Sequence, residues 1–166
     1  MHFNLKSIST EGVPKALEKA ERYRLLNEPS LAESICLDIL AILPKHQEAL
    51  VSLLLARTDQ FDSGVTLKSA QELLLRIEGE YERAYYAGII WERQGHAHLR
   101  QGGPGSSANT YHALREAMEH YQRAEALRPP ANDDAILRWN ACGRVIMRSP
   151  EIRPLAEAEV QPITSE

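Results

Sequence analysis

The sequence predicts an all-α fold of antiparallel helical hairpins, and three observations carry the prediction. Apolar residues recur at intervals of three and four rather than two, which is helical spacing. Proline and glycine cut the chain into a few long stretches of that spacing. Two-helix units then recur with a period of about 34 residues.

Helix one is expected over residues 14–26, where Pro14 suits a first turn and Ala16, Leu17, Ala20, Tyr23 and Leu25 make one stripe. Asn27 tolerates a left-handed backbone, and Pro29 opens a second helix whose apolar positions are Leu31, Ala32, Ile35, Ile39 and Leu43. It stops before Pro44. The third helix, about 47–60, carries Leu50, Val51, Leu53, Leu54, Leu55 and Ala56 around most of its circumference, so it is predicted to be central. Asp62, Ser63 and Gly64 form a turn, and Leu67, Ala70, Leu73, Leu74 and Ile77 build a fourth helix ending near Gly79. Helix five begins near Tyr81 and presents Ala84, Ala87, Gly88 and Trp91, small residues that admit a close neighbour.

Gly102 to Ser107 must be a loop. Leu99 lies two turns beyond Trp91, which extends helices five and six as an antiparallel pair, while Gly95 permits an earlier end to helix five. Helix six covers residues 108–127 through Leu114, Ala117, Met118, Tyr121, Ala124 and Leu127. A seventh follows Pro129 and Pro130, capped by Asn132 or Asp133, with Ile136, Leu137, Trp139, Cys142, Val145 and Ile146 as its apolar content. The expected organisation is an N-terminal segment 1–12, a helical domain 13–148 and a flexible C-terminal tail 149–166.

Composition narrows the function classes. A chain of 166 residues with net charge −4 offers no bulk attraction to nucleic acid or to an anionic membrane. No run approaches the roughly 18 apolar residues of a membrane span. Cys36 and Cys142 lack a C-x-x-C partner, which argues against a disulfide framework or a four-ligand zinc site and fits a reducing, cytoplasmic setting.

Ala117, Tyr121, Ala124 and Pro129 keep the spacings of four, three and five that link the small, aromatic, small and proline positions of a tetratricopeptide second helix. Trp139, Cys142, Gly143 and Ile146 match the first helix of that motif, and an earlier copy runs Ala20, Tyr23, Ala32, Cys36, Ile39, Pro44. A third repeat begins Ala84, Ala87, Gly88, Trp91, with about 17 residues inserted before Ala117. The chain therefore resembles the tetratricopeptide repeat (TPR) family over residues 13–148. The resemblance implies a short TPR-like right-handed α-solenoid of three hairpins and a capping helix, in which each hairpin covers the apolar face of the last. A non-repeat helical bundle is the alternative.

Chemistry beyond binding finds little footing. His96, His98, His112 and His120 surround the inserted hairpin with Glu116 and Glu119 nearby, but His96 and His98 diverge on one helix by about 200°. Solvated histidines are the simpler reading. No nucleophile motif, H-E-x-x-H or phosphate loop occurs, so neither an enzyme nor a cofactor is expected. Cys36 and Cys142 read as buried packing residues.

The TPR resemblance implies a peptide-binding groove lined by the first helix of each repeat. Carried onto this chain, its positions are Leu17, Glu21 and Arg24, then Val51, Leu55 and Thr58, then Tyr85, Ile89 and Glu92. In the last helix they are Leu137, Asn140, Arg144 and Met147. The lysine and asparagine with which some relatives clamp a chaperone's terminal carboxylate are missing at Leu17 and Glu21. Asn140, Arg144 and Arg148 recur every four residues, so they share a face able to hold a carboxylate bidentately. The expected function is an adaptor or chaperone-like module holding a peptide or helical segment of another protein, acidic segments included. Self-association as a homodimer is the alternative, and a metal-binding protein or enzyme comes third.

Overall fold

The structure is a computed structural model that describes residues 3–155. Among the described residues seven α-helices follow one another: α1 Val13–Leu25, α2 Pro29–Ile42, α3 Gln47–Thr58, α4 Leu67–Leu74, α5 Glu80–Gln101, α6 Ser106–Leu127 and α7 Asp134–Arg148. Short 3-10 turns at Thr10–Gly12 and Phe61–Ser63 complete the regular structure, and no strand occurs among the described residues. The all-α class is therefore as expected.

Local chemistry sets the boundaries. Pro14 and Pro29 stand in the first turns of α1 and α2, and between those helices Asn27 adopts φ +60°, the left-handed conformation its short amide side chain tolerates. Thr66 caps α4 by accepting the Ser69 N–H on its hydroxyl at 3.3 Å. The side-chain oxygen of Asn132 accepts the Asp134 N–H at 3.0 Å, so Asn132 does the capping work beside Asp133 at the start of α7.

The end of the fourth helix differs from expectation. The fourth helix ends at Leu74 rather than near Gly79, and the backbone beyond it is taken up by α3. Gln47 accepts the Glu78 N–H at 2.8 Å and donates to the Arg76 carbonyl at 3.3 Å, while Arg76 donates to the Pro44 carbonyl at 2.8 Å. These bonds replace a last helical turn, and Ile77 is still buried. In the fifth helix, by contrast, Gly95 marks no break. A Cβ there would stand 3.2 Å from Leu114, so the glycine serves close packing of α5 on α6 rather than termination.

Each helix packs on the next, and α1 also touches α3, as α3 does α5. Two apolar cores result. Ala20, Cys36, Ile39, Leu50, Leu53, Leu54, Ala70, Leu73 and Ile77 fill the first, with α3 at its centre as its all-round apolar sequence requires. Ile89, Leu114, Ala117, Met118, Tyr121, Ala124, Ala135 and Cys142 fill the second. Helix α5 divides them: Ile90 and Ala97, seven residues apart, face the first, whereas Ile89 faces the second. Leu55 and Tyr86 pack against both.

The 13–148 boundary does not mark where packing stops. Ile152 is 3% exposed, and its N–H donates to the Ser149 carbonyl at 2.9 Å. Residues 151 and 153–155 line a cavity with Gly105, Ser107 and Ala108 at the start of α6. Most of the tail expected to be flexible, residues 156–166, lies outside the described residues.

Candidate functional site

The odd-numbered helices α1, α3 and α5 carry the expected groove positions. Leu17 on α1 and Val51 and Leu55 on α3 are half-buried against the first core, while Glu21 is exposed. Tyr85 on α5 is half-buried against the second core, with ring centroids 5.9 Å from Tyr81, 5.3 Å from Tyr86 and 5.9 Å from Tyr121.

Where these helices end, a charged cavity of about 560 Å³ opens between them. Arg24, Leu25, Asn27, Pro29, Thr58, Asp59, Asp62, Arg93 and Arg100 line it. Asp59, at the C-terminus of α3, joins two helices: Arg24 of α1 donates its Nε–H at 2.8 Å and Arg93 of α5 an Nη1–H at 2.9 Å. Arg100, two turns beyond Arg93 on the same face, donates to Asp62 at 2.7 Å. Thr58 is buried and donates its hydroxyl to the Leu55 carbonyl at 2.8 Å, as the end of a helix demands. These pairs tie α1, α3 and the Phe61–Ser63 turn to one another and to α5.

Two expected groove residues lie elsewhere. Ile89 is 3% exposed inside the second core, and Glu92 is 5% exposed and turned toward α6 and α7. Neither is free to meet a guest. The reason is the geometry of α5: Gly88, Glu92 and Gly95 fall at i, i+4 and i+7 and form the stripe on which α6 packs. The residue of this stretch that lines the charged cavity is Arg93, one position on.

Glu92 is the acceptor at the centre of a three-helix junction. The Tyr121 hydroxyl of α6 donates to its Oε2 at 2.5 Å, Arg138 of α7 donates to its Oε1 at 3.1 Å, and His96 Nε2 lies 3.9 Å from the same oxygen. A buried carboxylate persists only with such partners. Burial and the adjacent carboxylate drive the Tyr121 phenol far above its usual range, so the hydroxyl keeps its proton and donates. Burial pulls His96 below its ordinary value of 6.5, against the attraction of Glu92, and also lowers His120.

The row on α7 is not joined to the cavity. Asn140 shares a shallow depression with Gln122, Glu125, Ile136 and Trp139, on the α6 side of the helix. Arg144 and Arg148 are exposed, and among the described residues neither forms an ion pair. Leu137 and Met147 stand in solvent at 62% and 77% exposure. The α7 arginine that reaches α5 is Arg138, because Ala135 and Cys142, at i−3 and i+4 from it, are the buried positions of that helix.

Of the histidines, His98 lies 3.0 Å from Gln94 and shares a depression with Trp91, Asn109, His112 and Glu116. Among the described residues no three His, Cys, Asp or Glu side chains are grouped as a metal ion requires. Cys36 and Cys142 are buried free thiols in the packing role expected of them. Burial raises both pKa values, that of Cys142 to about 12. Among the described residues no helix is long and apolar enough to cross a membrane.

Of the residues that line the cavity, sequence reading singled out Arg24 and Thr58 but not Asp59, Asp62, Arg93 or Arg100, and at the junction it singled out Glu92 but not Arg138. The seven-residue interval between Arg93 and Arg100 was the available signal for a shared basic face on α5. Comparisons with protein-family models, curated proteins and solved structures give no significant match.

Proposed function

We propose that the protein is an adaptor or chaperone-like binding module: a short TPR-like α-solenoid that holds a segment of another protein along α1, α3 and α5. The observation that carries this reading is the lateral run of odd-numbered helices, α1 against α3 and α3 against α5, with Leu17, Val51, Leu55 and Tyr85 half-buried along it. Half-buried apolar side chains beside a charged cavity suit a peptide or helix that carries apolar anchors and polar neighbours. The proposed setting is cytoplasmic, where the two thiols stay reduced.

A photo-crosslinking side chain placed at Glu21 tests the reading, with Ser34 on α2 as a reference outside the odd-numbered helices. Both positions are exposed, so neither replacement disturbs a core. Capture of a second polypeptide from Glu21 and not from Ser34 is the expected result, and equal capture from both positions would sink the groove. Self-association is favoured by a different observation, the exposure of Leu137 and Met147 on α7. Sedimentation at two protein concentrations separates the two, since a dimer built on α7 gives a concentration-dependent mass that Met147→Glu abolishes.

A further inference from the structure

We infer that the cavity at the ends of α1 and α3 is an acidic-segment pocket, which takes a carboxylate side chain of the bound polypeptide together with an adjoining apolar one. This rests on the groove reading and specifies the chemistry of its guest. Among the described residues three guanidiniums and two carboxylates line the cavity, a balance of one positive charge in a chain whose net charge is −4. Asp59 and Asp62 hold the guanidiniums in place, yet among the described residues most of the guanidinium N–H donors are unspent. Of the five N–H donors on each guanidinium, Arg24 gives one to Asp59, Arg93 gives one to Asp59, and Arg100 turns its Nε and Nη2 to a single oxygen of Asp62. An oxyanion entering the cavity meets fixed planar donors, the arrangement that favours bidentate carboxylate recognition.

Size and surroundings favour a polypeptide over a free anion. A space of about 560 Å³ is far larger than one small oxyanion needs, and its rim carries Leu25, 89% exposed, beside Pro29. The charged floor and apolar rim therefore select an acidic residue next to an apolar one. The cavity also adjoins the half-buried groove positions, since Arg24 follows Leu17 on α1 and Thr58 follows Leu55 on α3.

Fluorescence anisotropy with a labelled peptide of repeating Glu-Glu-Leu, its Gln-Gln-Leu counterpart and inorganic phosphate tests the assignment on the full chain. Arg100 is 60% exposed and Asp62 38%, so changes there leave both cores intact. The Glu peptide should bind and the Gln peptide should not. Arg100→Gln should weaken binding about tenfold, the worth of a hydrogen bond to a charged group. Asp62→Asn should strengthen it about two- to fivefold by freeing Arg100. Opposite signs from neighbouring positions are what a folding defect cannot produce. Binding of the Glu peptide that neither variant changes overturns the pocket, as does competition by phosphate at equal concentration. If Glu21 still crosslinks a partner in that case, the groove stands without the pocket. If Glu21 captures nothing and the Glu peptide fails to bind, both readings fall.

Discussion

Replacing Tyr121 by Phe removes one oxygen atom and tests what holds the carboxylate of Glu92 inside the protein. The ring stays, so its packing against Gly88 and the second core is unchanged, and the loss is confined to the hydrogen bond to Glu92 Oε2. A hydrogen bond to a charged group contributes about 1.5–3 kcal/mol. Arg138 still covers Oε1 at 3.1 Å, so the cost stays below the roughly 3–5 kcal/mol of a buried charge stripped of its partner. For a urea m-value of about 2 kcal/mol/M, the midpoint should fall by about 1 M at constant slope, followed by far-UV circular dichroism. The same change made in a Glu92→Leu background should be close to neutral, because the acceptor is gone. An equal loss in both backgrounds would refute the argument, since the hydroxyl would then act through something other than Glu92.

Two further outcomes follow from other parts of the molecule. Gly88→Ala places a Cβ 2.5 Å from the Tyr121 ring and should destabilise by about 1–3 kcal/mol despite alanine's better helix propensity. Gly143→Ala meets nothing nearer than 3.9 Å and should be neutral or stabilising by up to about 1 kcal/mol, so the same urea measurement should show a loss on α5 and none on α7. Burial, aided by Arg100, Arg93 and Arg138, lowers the His96 pKa below 6.5, and burial with Arg123 lowers that of His120, while Glu92, Glu116 and Glu119 pull the other way. The unfolded chain then binds protons first, so this stability is complete above pH 6.5 and is lost as pH falls through the folded-state values. A His96→Gln/His120→Gln variant should show a flatter urea midpoint between about pH 7 and about pH 5 than the parent protein.

Helices were legible where one residue's backbone chemistry decides a boundary, as at Asn27 with φ +60° and at Pro29. The central place of α3 was legible for a different reason: a helix apolar on every side has nowhere else to go. The end of α4 was not, because it depends on Gln47, which lies 31 residues before the Glu78 N–H it accepts. The candidate site was half legible. Arg24 was singled out by repeat register alone, but on α5 that register picked Glu92, one residue from the arginine that lines the cavity. A one-residue step turns a helix by about 100°, enough to exchange a solvent-facing charge for a buried one. What fixed the rotation was the fit of Gly88 and Gly95 against α6: the small residue at 88 shows in the sequence, but its meeting with Tyr121, and that of Gly95 with Leu114, is a contact between segments.

Helix α5 belongs to both halves of the interior, giving Ile90 and Ala97 to one and Ile89 to the other. Neither half can therefore melt without disturbing the helix they hold in common. That shared wall couples the two ends of the protein into one cooperative unit, and its amide protons should be among the slowest to exchange with solvent.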